Sequence, residues 1–329
     1  MSTVAGHSAA PCISVVVPFY NEATTVAALF ARLLPALEHI GETWEVICVN
    51  DGSADATLAG LLAARAHEHR VSIIDFSRNF GKECAVAAGL KRTRGRAVVV
   101  MDADLQHPPE AIADMIAKWR EGFELVNAAR HERTGQSLFY RMSARAFYTL
   151  MRSMSEVTVA STVGDFRLLD RRVVDVINAM PERRRLLKGL LSWVGFRHAE
   201  IVYRQETRHG GRSTWNLLRL TRLALDGLTS FSTVPLSMWG LIGFVVSGLT
   251  FLYIVYRLIR VAVWGVDIPG YESILIAVLF LGGMQLLSLG VLGAYLGRVF
   301  EEVKQRPLYI VRHVYGPSDD DSLRDGAQP

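Results

Sequence analysis

Several common sequence signals are missing from these 329 residues. The three cysteines, Cys12, Cys48 and Cys84, are scattered and lack metal-ligand spacing, so neither a disulfide framework nor a cysteine metal site is expected. There is no Gly-x-Gly-x-x-Gly after the first predicted strand and no Walker sequence, which argues against dinucleotide and P-loop chemistry. The first eleven residues contain neither a basic nor an apolar segment, so no export signal is predicted.

Charged residues are absent from two windows, 232–256 and 273–297. About 20 apolar residues cross a bilayer core, so both windows predict transmembrane helices rather than a buried soluble hairpin. Since no export signal is predicted, both chain ends are expected in the cytoplasm, with the hairpin in the bacterial inner membrane. Arg219, Arg222 and Arg298 agree with the positive-inside rule, whereas Arg257 and Arg260 disagree with it.

The first 130 residues alternate between short apolar and amphipathic segments. Strands are predicted at 13–18, 44–49, 71–76, 97–101 and 124–128, and helices at 24–38, 56–68, 82–93 and 109–120. This alternation predicts a parallel α/β sheet covered on both faces. Ligands bind such sheets beyond the carboxyl ends of the strands, so the residues directly after each strand form the candidate site.

Polar and acidic residues follow the first four predicted strands. The four segments are Pro18-Phe-Tyr-Asn-Glu22, Asn50-Asp-Gly-Ser53, Ser77-Arg-Asn-Phe-Gly-Lys82 and Asp102-Ala-Asp-Leu-Gln-His107. Carboxylates repel phosphates, but they can hold a divalent cation that binds them. If the chain is extended after the fourth strand, Asp102, Asp104 and Gln106 point to one side and offer oxygen ligands to Mg²⁺ or Mn²⁺.

Together these segments strongly resemble the family 2 glycosyltransferases, which have the GT-A fold. Within that family the chain is most similar to the polyprenyl-phosphate glycosyltransferases, the group of dolichol-phosphate mannose synthase and the bacterial undecaprenyl-phosphate transferases. The resemblance extends to Gly164-Asp-Phe-Arg-Leu168, to the segment from Arg204 to Ser213 and to the two apolar windows. No Gln-x-x-Arg-Trp segment is present, which argues against a polysaccharide synthase.

The resemblance implies that the chain is divided into four regions. A cytoplasmic GT-A catalytic domain would cover 1–212, and an interfacial amphipathic helix 213–231. A two-span transmembrane hairpin would cover 232–297, and a cytoplasmic tail 298–329. For the apolar face just before the first span, a core helix of the soluble domain stays an alternative to the interfacial helix.

The resemblance also implies roles for individual residues. Donor contacts are implied for Pro18, Tyr20, Asn21, Glu22, Asp51, Lys82, Asp102, Ala103, Arg208, Arg212 and Ser213. Asp102, Asp104 and Gln106 are implied as the shell of a Mg²⁺ or Mn²⁺ cofactor. Arg212 stands where the family commonly has lysine, so a forked guanidinium replaces a point charge there.

The chemistry of such a transfer sets the remaining expectations. A cation assists departure of the diphosphate from the anomeric carbon. A lipid monophosphate has a second pKa of about 6, so at neutral pH it is already a nucleophile and needs a general base less than a hydroxyl does. Asp165 is the candidate at the catalytic position, as an orienting group or as a base. The candidates for a cationic clamp on the acceptor phosphate are Arg130, Arg141, Arg145 and Arg167.

The expected function is therefore metal-dependent, inverting transfer of a hexosyl or aminopentosyl group to undecaprenyl or another polyprenyl phosphate. A UDP-sugar donor is favoured over GDP-mannose. Two alternatives stay open: transfer to the hydroxyl of a diacylglycerol-type lipid, and a non-catalytic membrane scaffold. The expected partners are the donor, the lipid and the membrane. No nucleic acid is expected, and the glycine-rich spans permit a homo-oligomer.

Two further features lie near the expected site. His107 and His131 are predicted to face solvent. The basic run from Arg183 to Lys188 fits a solvated helix face, or contact with anionic lipid headgroups.

Overall fold

A computed structural model describes residues 11–130, 163–182, 187–203 and 270–316, with isolated helical positions between 245 and 263. The strands are β1 (Ile13–Phe19), β2 (Trp44–Asn50), β3 (Val71–Phe76), β4 (Ala97–Val100), β5 (Leu125–Arg130), β6 (Val163–Asp170), β7 (His198–Tyr203) and β8 (Val311–Tyr315). The helices are α1 (Val26–Ile40), α2 (Thr57–His67), α3 (Lys82–Arg92), α4 (Ile112–Arg120, after a 3₁₀ turn at Pro109–Ala111), α5 (Arg171–Ala179), α6 (Leu187–Trp193) and α7 (Tyr271–Val303).

All eight strands form one sheet in the order β7-β5-β6-β4-β1-β2-β3-β8. The central strands β4, β1, β2 and β3 run parallel to one another, and β5 runs parallel to β7. Two strands run the other way: β6 is antiparallel to β4 and β5, and β8 is antiparallel to β3. The predicted, mostly parallel α/β sheet is thus confirmed, with two antiparallel strands that the alternation did not predict.

Apolar side chains on both faces of the central strands build the core. Val15 and Val17 of β1 belong to the cluster that includes the apolar stripe of α1, whereas Val16 packs with residues of α3, α5 and α6. Successive residues of a strand point to opposite faces, so a continuous apolar run can fill both layers. Gly41 ends α1 in the left-handed region at φ 75°, as is common at helix C-termini.

The two antiparallel strands join segments that are distant in the sequence. β8 closes the β3 edge of the sheet, and Tyr309 just before it stacks on Phe76 with ring centroids 5.0 Å apart. β6 lies between β4 and β5, with Val100 opposite Arg167. Because β6 is antiparallel to β4, its first residues lie beside the carboxyl end of β4. Asp165 therefore reaches the edge of the sheet at which the polar loops meet.

Two compact units divide the chain. One contains residues 1–141, 159–213 and 305–329 and holds the whole sheet, and the other contains 142–158 and 214–304. In the second unit, α7 includes one stretch, Phe280–Gly297, that is long and apolar enough to cross a membrane. Among the described residues this is the one such helix. Most of the first predicted span and the whole predicted interfacial helix, 213–231, lie outside those residues.

Candidate active site

The loops after β1 and β2 are joined by hydrogen bonds from backbone to side chain. The N–H of Asn21 donates to Ser53 Oγ at 3.0 Å, and the N–H of Ala54 donates to Asn21 Oδ1 at 2.9 Å. The N–H of Glu22 donates to Thr57 Oγ1 at 2.9 Å. Asn21 itself adopts φ 54°, a conformation that asparagine tolerates better than most residues. The predicted donor residue Asn21 thus shapes the two loops through its own side chain.

Asp51 connects the loop after β2 to the loop after β3. Its carboxylate is 3% exposed and accepts hydrogen bonds from the N–H groups of Phe80, at 2.7 Å, and Gly81, at 2.9 Å. Burial raises the pKa of Asp51, and the two backbone hydrogen bonds oppose only part of that rise. Next to it, Gly52 has φ 63° and lies so close to the backbone of Arg78 that a Cβ atom would clash.

At the centre of the site, charged groups from three elements and the loop after β4 meet. Lys82, at the start of α3, places its Nζ 2.6 Å from Asp102 Oδ1 and 2.5 Å from Asp165 Oδ2. Lys188 of α6 places its Nζ 3.1 Å from Asp165 Oδ1. We call Lys82, Asp102, Asp165 and Lys188 the charged cluster. Its Lys82 and Lys188 side chains are 41% and 36% exposed, so a ligand can approach them from solvent.

The charged cluster keeps Asp165 ionised. Burial raises the pKa of Asp165, but the ammonium groups of Lys82 and Lys188 outweigh burial and hold that pKa well below its usual range. Burial lowers the pKa of Lys82, but the carboxylates of Asp102 and Asp165 raise it by more, so the net change is upward. At neutral pH the cluster therefore contains two carboxylates and two ammonium groups.

Arg167 and Glu83 lie next to the charged cluster and fix the elements that carry it. Arg167 is 2% exposed, donates from Nη2 to the Gly164 carbonyl at 2.7 Å and lies 3.8 Å from Asp165 Oδ1. Burial lowers the pKa of Arg167, and the nearby carboxylates oppose that change. Glu83 Oε2 accepts a hydrogen bond from the N–H of Leu187 at 3.2 Å and so ties the start of α6 to α3.

The loop after β4 bends instead of continuing in an extended conformation. It turns over residues 103–105, and Leu105 adopts φ 60° with its side chain buried. The chain is therefore not extended after β4, which was the condition of the prediction for Asp102, Asp104 and Gln106. The three side chains nevertheless stay half-buried, while the residues between them are buried, so all three face away from the core. Ala103, a predicted donor contact, directs its methyl group into the core.

The predicted metal ligands still fit a divalent cation of the magnesium type. Within the described residues no three His, Cys, Asp or Glu side chains converge as a ready-made metal site. Asp104 accepts one hydrogen bond there, from the N–H of Gln106 to Oδ1 at 3.1 Å, and its carboxylate is half-buried. Mg²⁺ is commonly bound by one or two carboxylates plus substrate phosphates. Two aspartates and an amide on one loop match such a donor set.

His107 is buried, and the expectation that it faces solvent is wrong. It is 1% exposed, its Nδ1 lies 2.8 Å from the hydroxyl of Tyr203, and its ring packs 5.2 Å from that of Phe166. Its Nε2 lies 3.6 Å from Asp102 Oδ2. Phe166 and Tyr203 stand on β6 and β7, which pattern reasoning on the first 130 residues did not include, so the aromatic pocket around His107 was not foreseen.

The remaining predicted site residues divide into two groups. Pro18 ends up half-buried within β1, and Tyr20 is 50% exposed in the loop that follows. Arg130 closes β5, and its side chain is outside the described part of the chain. The described part of the chain does not include Arg141, Arg145, Arg208, Arg212, Ser213 or His131.

Sequence reasoning missed Lys188 and Glu83 as site residues. Lys188 was grouped with the basic run before it, although its ammonium reaches Asp165. Glu83 directly follows Lys82 and acts through a backbone N–H about a hundred residues further along the chain. No local pattern gives such a contact. The closest signal was the position of Lys82 and Glu83 directly after the third polar loop.

Comparison with known proteins identifies the class to which this fold and site belong. Residues 14–177 match glycosyl transferase family 2. An uncharacterized glycosyltransferase of Synechocystis is 46% identical over 304 residues, which cover 92% of this chain and 96% of that protein. The chain therefore belongs to glycosyl transferase family 2, and its mostly parallel α/β domain has the GT-A fold.

Two further similarities concern a curated relative and a solved structure. The SfII prophage-derived bactoprenol glucosyl transferase of Shigella flexneri is 42% identical over 300 residues, which cover 91% of this chain and 97% of that protein. Among solved structures, glucosyl-3-phosphoglycerate synthase from Mycobacterium tuberculosis covers 67% of this chain and 79% of its own, at 20% identity and a TM-score of 0.46. The family match and the curated relatives show that the chain is an enzyme of the glycosyltransferase class, with relatives named bactoprenol glucosyl transferase.

Proposed function

We propose that this enzyme transfers a sugar from a nucleotide sugar to the phosphate of a polyprenyl lipid, with inversion at the anomeric carbon. The observation that carries the proposal is the state of Asp165. Lys82 and Lys188 contact its two carboxylate oxygens, at 2.5 Å and 3.1 Å, and hold its pKa far below neutrality. A carboxylate in that state is a poor base, so the site suits an acceptor that is already ionised.

A phosphate monoester is such an acceptor. One of its anionic oxygens forms the new bond to the anomeric carbon, while the bond from that carbon to the diphosphate breaks and the nucleoside diphosphate leaves with the electron pair. No proton is transferred, because the acceptor's second proton, with a pKa of about 6, is mostly lost at pH 7. A single displacement of this kind inverts the anomeric centre.

The donor would lie along the loops after β1, β2 and β4. Pro18, Tyr20, Asn21, Glu22 and Asp51 are proposed as its nucleoside side, with Lys82, Asp102 and Ala103 toward the sugar and diphosphate and Arg208, Arg212 and Ser213 closing over it. A UDP-sugar is the favoured donor. Asp51, whose oxygens already bind two loop N–H groups, shapes this surface.

Asp102, Asp104 and Gln106 are proposed to hold Mg²⁺ or Mn²⁺. When bound, the cation neutralises charge that builds on the departing diphosphate. Asp104 is the residue best placed for this role. Among the described residues its carboxylate accepts one hydrogen bond, from a backbone N–H, whereas Asp102 is already paired with Lys82. The acceptor phosphate clamp is proposed at Arg130, Arg141 and Arg145. Arg167, which is buried, supports the Asp165 carboxylate.

The relatives and the apolar helix support a lipid acceptor. The Shigella flexneri relative is named for bactoprenol, a polyprenyl lipid, and similarity to it extends over 91% of this chain. We propose two membrane spans within 232–297 that keep the enzyme at the membrane in which its acceptor resides. Residues 1–212 and the tail 298–329 would then be cytoplasmic.

A diacylglycerol-type hydroxyl acceptor is the alternative transfer reaction. It would need a base to remove the hydroxyl proton, and the strongly depressed pKa of Asp165 argues against that role. A non-catalytic scaffold gives no reason for two lysines to pair with a half-exposed carboxylate at the edge where the polar loops meet.

The decisive experiment is a product assay. Purified enzyme is incubated with undecaprenyl phosphate or diacylglycerol and a panel of UDP- and GDP-sugars, and the lipid product is identified by mass and by the anomeric coupling constant. The expected product is a glycosyl phosphodiester of inverted configuration from one donor. Transfer to diacylglycerol alone would contradict the proposal.

A further inference from the structure

Lys188 belongs to α6, a short helix that the fold holds firmly against the sheet. Leu187, Leu190 and Leu191 are buried in the same apolar cluster as residues of β4 and α5. The N–H of Leu187 donates to Glu83 Oε2, which fixes the first turn of α6 to α3. Lys188 is thus set in a fixed backbone, with its ammonium directed toward Asp165 instead of into the core.

The positive charges around Asp165 differ in burial and in the number of N–H donors that they keep for a ligand. Arg167 is almost fully buried, so it supports Asp165 from below. Lys82 contacts both Asp102 and Asp165, which occupy two of its three N–H donors. Within the described residues Lys188 contacts one carboxylate, Asp165, and keeps two N–H donors for a ligand. The Lys82 and Lys188 side chains are similarly exposed, at 41% and 36%, so Lys188 is the cation of the charged cluster with more N–H donors left for an incoming anion.

We propose that Lys188 binds the phosphate of the acceptor, and that Asp165 acts as its positioning residue. Asp165 would hold the Lys82 and Lys188 ammonium groups on its two oxygens, so that both stand ready beside the reacting phosphate. This inference rests on the proposed function, because it assigns the acceptor phosphate of that reaction. It also gives the last residue of the basic run a role distinct from general attraction to lipid headgroups.

The test separates acceptor binding from donor binding. Full-length enzyme in detergent is assayed with undecaprenyl phosphate varied at saturating nucleotide sugar, and then with the nucleotide sugar varied at saturating lipid. For Lys188→Gln the KM for the lipid is expected to rise at least about tenfold, the loss of one charge-assisted hydrogen bond. The KM for the nucleotide sugar is expected to stay within about twofold of the wild-type value, because the donor lies on other loops.

Two companion variants sharpen the result. Lys188→Arg keeps the positive charge and is expected to recover most of the lipid affinity. Lys118→Gln is the matched control, because Lys118 is 40% exposed and pairs with Glu121 at 2.9 Å on the surface of α4, away from the charged cluster. Its kinetic constants are expected to equal those of the wild type. If Lys188→Gln lowers the melting temperature, Lys188→Met, which keeps the aliphatic stem, replaces it.

The outcomes distinguish this assignment from the proposed function. A wild-type enzyme that does not use undecaprenyl phosphate contradicts the proposed function before any variant is compared. A wild-type enzyme that uses it, with an unchanged lipid KM in Lys188→Gln, overturns the role of Lys188 alone. An equal rise in both KM values also overturns it, since it would mean that Lys188 maintains the whole site.

Discussion

At the scale of single residues, the central fact is that Asp165 is held between two ammonium groups. Its depressed pKa means that it stays ionised from neutral pH down through weakly acidic pH, so it does not titrate between about pH 5 and 7. The acceptor phosphate does titrate in that interval, because its second pKa is about 6. A rise of rate with pH in this range is therefore expected from the substrate and not from Asp165.

Asp165→Asn separates these two origins. The variant keeps the size of the side chain but loses the negative charge that orients Lys82 and Lys188, so a lower rate is expected at every pH. The rise between about pH 5 and 7 is expected to persist with unchanged midpoint, measured as single-turnover rates so that product release does not mask it. Disappearance of the rise in the variant would show that Asp165 is the titrating base, and would favour a hydroxyl acceptor.

Asp104 provides the second prediction at this scale. Its half-buried carboxylate contributes one loop hydrogen bond and little packing, so Asp104→Ala should melt within a few degrees of the wild type. Transfer should fall by at least about a hundredfold if the residue holds the cation that neutralises the leaving diphosphate. EDTA should inactivate the wild type, and Mn²⁺ or Mg²⁺ should restore it. Full activity in EDTA would contradict the metal role.

How much of the site could be predicted differs from residue to residue. Asp51, Lys82, Asp102 and Asp165 were all selected from the sequence, because each follows a strand or matches a family segment, and the structure brings the last three together. The environment of a side chain was harder to predict. His107 is buried because Tyr203 and Phe166 approach it from two later strands, a contact that no local pattern encodes.

At the scale of elements, the tight contact between the loops after β2 and β3 gives a third prediction. Gly52→Ala would place an alanine at a positive φ, which destabilises the fold by about 1–2 kcal/mol. It would also force a Cβ atom against the Arg78 backbone. Gly41→Ala is the matched control, since Gly41 also has a positive φ but has open space around it. The free energy of unfolding should fall more for Gly52→Ala than for Gly41→Ala.

The same pair of variants tests whether these loops form the donor surface. Gly52→Ala displaces the loop that Asp51 holds through Phe80 and Gly81, so UDP affinity measured by calorimetry is expected to weaken at least several-fold. Gly41→Ala lies at the end of α1 and should bind UDP as the wild type does. Equal affinities for the two variants would argue against a nucleoside role for this surface.

The elements themselves were predictable where their signal was local. The strands predicted at 44–49 and 71–76 match β2 and β3 to within one residue, because each is a short, mostly apolar segment rich in valine and isoleucine between polar segments. β6 was not predicted, since Asp165, Arg167 and Asp170 interrupt its apolar character. β8 was not predicted either. It is short and pairs with β3 from more than two hundred residues away.

At the scale of the whole molecule, the chain combines a charged catalytic sheet with a helix that is apolar on its exposed surface. Leu286, Leu289 and Leu296 of α7 are all more than 60% exposed. Surfaces of that kind need an apolar environment, and a bilayer supplies it over the length of Phe280–Gly297. The proposed arrangement places the loop before α7 outside the cell and the catalytic unit inside.

Cysteine labelling in intact cells tests that arrangement. Gly270 directly precedes α7 and is exposed, so Gly270→Cys should react with a membrane-impermeant maleimide added from outside. Asp114→Cys, on the exposed face of α4, should react only after the cells are permeabilised. The three native cysteines belong to the catalytic unit and should add no external background, which the unmodified enzyme verifies. External labelling at Asp114→Cys in intact cells would contradict the proposed topology and indicate the opposite one. The catalytic unit would then lie outside, where the cytoplasmic nucleotide sugars that the proposed reaction consumes are absent.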